Sequence, residues 1–148
     1  MPGGTFEDST VGWSLNDASV VSGNEPWNVF GSSDSNSLSI DARGSATSPP
    51  FCVDNTIPSF RFFANSADGG KHSGLNVSAR WTLSNGDSGQ SRITTLPASG
   101  YASWQVSPAL PLSSVQSAGQ TVSVQLVFTA GKGSAWNIDD VLLDPYAK

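Results

Sequence analysis

The chain has 148 residues, enough for one domain with a core that needs no disulfide staples. Charged residues make up 13% and the formal net charge is −5, with 7 Lys and Arg against 12 Asp and Glu, so the sequence lacks the basic footprint of a nucleic-acid binder. It has no run of about 20 apolar residues and is not expected to span a membrane as a helix.

Met1-Pro2-Gly3-Gly4 carries neither the basic nor the apolar region of a signal peptide. It reads as a start and spacer where a leader has been removed, with one domain over 5–148. Low charge and abundant Ser, Thr, Asn and Gly fit a secreted, extracellular β-protein.

Short apolar or alternating runs then recur at 13–15, 18–21, 37–40, 59–64, 75–83, 92–96, 104–106, 122–129 and 135–143. Turn formers separate them, among them Ser22-Gly23-Asn24-Glu25-Pro26, Asp68-Gly69-Gly70, Ser84-Asn85-Gly86-Asp87 and Ala130-Gly131-Lys132-Gly133. Nine short strands without a helical period predict an all-β antiparallel sandwich, a jelly roll. A helical turn is conceivable only over 113–120.

Strand alternation assigns faces. Val77, Ala79, Trp81 and Leu83 point inward and Asn76, Ser78, Arg80 and Thr82 outward. Likewise Val122, Val124, Leu126 and Phe128 point inward, leaving Gln125 and Val127 outside. Phe60 and Phe62 point inward, leaving Arg61 and Phe63 outside. Were these strands neighbours, Arg61, Phe63, Arg80, Gln125 and Val127 would share one exposed surface; strand order itself cannot be read from the sequence.

The last run, Trp136-Asn137-Ile138-Asp139-Asp140-Val141-Leu142-Leu143-Asp144, places acidic side chains in an otherwise buried pattern. A carboxylate there needs hydrogen bonds or a cation. Asp140 shares parity with Trp136 and Ile138 and is expected to face inward, opposite to Asp139.

Phe6-Glu7-Asp8 with Gly12-Trp13 at the start, and Trp136-x-Ile138-Asp139-Asp140-Val141 at the end, resemble the opening and closing strands of jelly-roll carbohydrate-binding modules of the galactose-binding-like superfamily. The resemblance implies a structural calcium between the two ends, with Glu7 and Asp140 as ligands. The series Asn24-Glu25-Pro26-Trp27, 45–53, Arg61-Phe62-Phe63 and Asp144-Pro145-Tyr146 is similar to a group of small secreted actinobacterial proteins of unknown function. Members of that group carry a cysteine before the Phe-Glu segment, placed to pair with the one corresponding to Cys52. Thr5 stands there in this chain, which leaves Cys52, its one cysteine, expected as a buried thiol.

Sugar recognition needs aromatic faces ringed by planar donors and acceptors. Trp27, Phe63 and Tyr101 are the aromatics least explained by core periodicity, with Trp27 and Tyr101 in loops, where they either stack on sugar or seal the sandwich rim. Arg61, Arg80 and Gln125 are the matching polar candidates. Catalysis has little support: His72 is the one histidine, no Gly-x-Ser-x-Gly elbow occurs, and the spacing of Glu7, Glu25, Asp34 and Asp54 brings no two together about a cleft. The expected function is a secreted, non-catalytic carbohydrate-binding or lectin-like module that takes a polysaccharide or glycan. The alternative is a self-assembling extracellular structural protein, a filament, coat or matrix subunit.

Overall fold

The computed structural model describes residues 1–8, 10–54, 56–113, 115 and 122–145; most of the 113–120 stretch and Tyr146 lie outside them. Ten strands follow in order: β1 (Ser14–Ser22), β2 (Asn36–Thr47), β3 (Phe51–Val53), β4 (Ser59–Ser66), β5 (Leu75–Thr82), β6 (Ser88–Leu96), β7 (Gln105–Val106), β8 (Leu110–Pro111), β9 (Val122–Ala130) and β10 (Trp136–Asp144), with one 3-10 turn at Ala98–Tyr101. Every pairing is antiparallel, and the registers resolve into two layers. One layer is β6-β5-β9, with the second half of β2 and then β3 along the far edge of β9. The other is the first half of β2, then β10 and β4, with β7 and β8 on the outer edge of β4.

β1 and β2 belong to both layers. Residues 14–16 pair with 45–47 in one layer and 18–22 with 36–40 in the other. The bend falls at Asp17 (φ 47°) and Arg43 (φ 68°). A Cβ at Gly44 would lie 2.4 Å from the Asp17 carbonyl oxygen, so the two backbones approach at this corner as closely as only glycine permits. The two short runs at 13–15 and 18–21 are therefore one bulged strand. Beyond β2, Ser48 carries the ladder across a gap: its N–H donates to the Leu126 carbonyl at 2.9 Å, and its hydroxyl accepts from Leu126 N at 2.9 Å. β3 then continues along β9.

Phe60, Phe62, Leu38, Ile40, Leu126, Phe128, Trp136 and Ile138 fill the space between the layers with essentially no exposure. Phe62 of one layer meets Phe128 of the other edge to face at 5.0 Å. Phe6 enters this core against Trp13 (5.1 Å) with φ 55°. Such strain costs about 1–3 kcal/mol, comparable with the roughly 1.5–3 kcal/mol gained by burying the ring. Residues 1–4 lie against β10, where the Gly4 carbonyl accepts Val141 N at 2.9 Å.

Three expectations are corrected. β4 is flanked by β10, β7 and β8, not by β5 or β9, so Arg61 and Phe63 lie in a different layer from Arg80, Gln125 and Val127, and the single shared surface does not exist. Cys52 is exposed, because β3 turns its neighbour Val53 inward and the thiol outward. Trp81 keeps its inward parity yet is only half-buried, since it ends β5 and lies over Gly89 at the rim.

Candidate functional site

The acidic ends meet in a buried cluster. β10 carries a bulge after Asp139: Asp139 pairs with Phe63 and Leu142 with Arg61, so Asp140 and Val141 together oppose Phe62. Asp140 adopts φ 48°, a left-handed position that aspartate tolerates better than most residues. The bulge buries Asp139, Asp140 and Val141 alike, each 1% exposed, which simple alternation cannot do.

The β1–β2 hairpin loop, residues 24–34, closes over this bulge. It is pinned at its base by Gly23 N donating to the Ser35 carbonyl at 2.7 Å. Glu25, fully buried, accepts Trp27 N and, at 2.8 Å, Val29 N. Asp34 accepts Phe30 N at 3.2 Å. Asp139 accepts Glu25 N at 3.3 Å and Asp140 N at 2.8 Å. Both Asp140 oxygens are buried without a hydrogen-bond partner.

Carboxylate oxygens of Glu25, Asp34 and Asp140 lie within 4.8 Å of one another. Burial and the charge of Asp140 raise the Asp139 carboxyl well above its ordinary range. Burial, then the charges of Asp34 and Glu25, do the same to Asp140. Among the described residues no lysine or arginine pairs with the cluster. Oxygens this close fit one ion with bonds of about 2.4 Å, the length calcium prefers, and the two bare oxygens are what such an ion would satisfy.

Glu7 is committed elsewhere. It accepts Ser35 N (2.8 Å), Asn36 N (2.6 Å) and both of those residues' side chains. Partial burial opposes its ionisation, but these bonds prevail and hold the carboxyl below its ordinary value. Glu7 thus anchors the base of the loop, while Glu25 and Asp34 stand beside Asp140.

The remaining candidates divide between two surfaces. On the β4 face, Trp27 is 55% exposed and rests on Phe63 at 5.3 Å and 31°, which covers Phe63 to 8% exposure. Arg61 lies two residues along the same face and donates to Asp144 at 2.8 Å. On the other layer, Arg80, Trp81, Thr82, Ser88, Gly89, Gln90 and Gln125 line a shallow cleft of about 350 Å³. There Arg80 Nε donates to Gln90 Oε1 at 3.1 Å and Gln125 Nε2 to the Ser48 carbonyl at 3.0 Å. Trp81 lies so close over Gly89 that an added Cβ would meet its ring at 2.5 Å. Tyr101 belongs to neither surface; it is 7% exposed and packs on Trp136 at 5.7 Å.

The expectation that spacing brings no two of Glu7, Glu25, Asp34 and Asp54 together is corrected: the β1–β2 loop sets Glu25 and Asp34 beside Asp140, while Gln90 carried no signal in the sequence. Asn24-Glu25-Pro26-Trp27 holds the one available signal, an acidic residue and a Pro before an exposed aromatic.

No protein-family model matches the chain, and no curated protein matches it. Solved structures do. A CBM61 module in complex with β-1,4-galactotriose aligns over 96% of this chain and 94% of its own, at 14% identity and a TM-score of 0.53. The CBM22-1 xylan-binding domain of Paenibacillus barcinonensis Xyn10C aligns over 93% and 88%, at 15% identity and 0.57. The C-terminal family 22 carbohydrate-binding module of Clostridium thermocellum Xyn10B aligns over 97% and 93%, at 17% identity and 0.54. At this identity the likeness is one of fold: the chain is an all-β jelly roll of the kind found in carbohydrate-binding modules.

Proposed function

We propose that this chain is a non-catalytic carbohydrate-binding module whose saccharide lies across the outer face of β5, β6 and β9. The observation that carries the reading is the cleft itself. Arg80, Gln90 and Gln125 present planar donors and acceptors together on the outward face, the groups that pair with sugar hydroxyls. The fold likeness supports it, since similar folds carry β-1,4-galactotriose or bind xylan.

A calcium ion belongs to the same reading. Glu25, Asp34 and Asp140 would hold it, and bound there it would neutralise the cluster and tie the β1–β2 loop to the closing strand. Glu7 would act beside the ion by fixing Ser35 and Asn36. An extracellular setting suits the proposal, because calcium and polysaccharide are both available there.

Affinity electrophoresis in soluble xylan and β-1,4-galactan, with calcium present, tests the function. Retardation should appear in at least one gel and fall about tenfold or more in an Arg80→Ala/Gln125→Ala variant. No retardation in any polysaccharide, together with concentration-dependent growth in light scattering, would instead favour the filament or coat subunit.

A further inference from the structure

The Trp27 surface stands apart from the Arg80 cleft: it is in the other layer and is built on a loop rather than on strands. We infer that it is a second saccharide site, taking a pyranose ring against the exposed Trp27 face, and that a divalent cation held by Glu25, Asp34 and Asp140 sets its affinity. This rests on the carbohydrate-binding reading and adds to it a site and its control.

Two of the three carboxylates that would grip the ion, Glu25 and Asp34, also hold the loop. Glu25 receives the backbone N–H groups of Trp27 and Val29, and Asp34 receives that of Phe30. The base of the loop is pinned, but its tip buries little apolar surface, because Trp27, Val29 and Phe30 are 55%, 47% and 53% exposed. Asp140 has two buried, unpartnered oxygens, one of them within 4.8 Å of oxygens of the other two carboxylates. Without a cation, the crowded carboxyls must take up protons or the loop must move, whereas a bound ion removes that cost. With one, loop and cluster close together, and coupling of this kind changes affinity by roughly 5- to 150-fold.

The occupant follows from the composition of the surface. Phe63 backs the Trp27 ring and fixes its plane. Asn24 donates to Asn28 at 2.9 Å within the same loop, leaving further amide donors and acceptors at the rim. Arg61 is held by Asp144 on the same face. A flat apolar face edged by planar polar groups suits a sugar ring. The Arg80 cleft, in contrast, is braced by Gln90 and the Ser48 carbonyl and touches none of the cluster, so its affinity should ignore the cation.

The experiment compares wild type, Trp27→Ala, Arg80→Ala and the double variant in xylan and β-1,4-galactan gels, each with calcium and with a chelator. A second readout is tryptophan fluorescence on adding calcium alone. With calcium, Trp27→Ala and Arg80→Ala should each weaken binding about fivefold or more. The chelator should bring wild type down to the level of Trp27→Ala and leave Trp27→Ala itself unchanged. Calcium alone should shift the fluorescence of wild type but not of Trp27→Ala or Asp140→Asn. Equal wild-type binding in calcium and chelator, lost in Arg80→Ala, would overturn the second site while the module reading stands. Absence of binding in every protein and gel would remove that reading too. Calcium-dependent dimerisation abolished by Trp27→Ala would make the occupant a second copy of the chain and overturn the inference.

Discussion

Asp140 carries its carboxylate in a left-handed backbone position, almost out of water, with no donor on either oxygen. A site optimised for stability alone would not keep it, because an amide of the same shape removes the buried charge and its repulsion by Asp34 and Glu25. Asn also tolerates positive φ. Asp140→Asn should therefore melt higher than wild type in chelator, with ~1 kcal/mol worth about 2–4 °C in a domain of this size. Calcium should reverse the order, since only a chain that binds the ion gains from it. Melting curves with and without calcium check this; equal calcium shifts in both proteins would speak against the site. Asp68 shows the opposite electrostatics. Hydroxyls of Ser134 and Ser66, then His72 and the Lys71 backbone, hold its carboxyl well below the ordinary value of 3.8. A depressed folded value means the stabilisation is complete above the unfolded value and is lost as pH falls below it. Asp68→Asn should accordingly melt below wild type at pH 7, with the gap closing below about pH 4.

Among the elements, the β1–β2 corner is the least forgiving. A Cβ at Gly44 would meet only backbone carbonyl oxygens, those of Asp17, Asp41 and Asn16, at 2.4, 2.9 and 3.0 Å. No side chain can rotate away. Gly44→Ala should cost about 1–3 kcal/mol or more, read as a drop in denaturation midpoint, whereas Ala at the open Gly86, where no atom lies within 4 Å, tests the left-handed φ of 89° alone. The same element marks where sequence patterning stops. Alternation identified the inward faces of β4, β5 and β9 because each runs straight past the core. It split β1 in two because a bulge at Asp17 interrupts the period. It missed β3 and β8 because runs of three and two residues carry too little pattern. At β10 the parity put Asp140 inward and Asp139 outward, while the bulge buries both. The acidic cluster was half legible: Asp140 stands out among apolar neighbours, but Glu25 and Asp34 reach it only through a loop whose path depends on tertiary contacts.

At the scale of the whole molecule, two strands shared between layers decide how the sandwich comes apart. β1 and β2 contribute one half to each layer, so neither layer can unravel without tearing strands from the other. The core is likewise common property, with Phe62 and Phe128 meeting across the interior. Unfolding should therefore be a single cooperative event despite the two-layer build. Far-ultraviolet circular dichroism reports the strands, and tryptophan fluorescence reports Trp136 in the core and Trp81 at the rim. Their denaturant midpoints should coincide, and calorimetry should give a heat-capacity change of about 2 kcal/mol/K for 148 residues. Two separated transitions would mean that the corner yields first and the layers melt independently. Refolding should be slow, in milliseconds to seconds, because most pairings join distant segments, among them β2 with β9 and β10, β4 with β10, and β3 with β9. Calcium, if held as proposed, should slow unfolding more than it speeds refolding, because the three carboxylates proposed for it come from residues 25, 34 and 140 and assemble only after the chain ends have met.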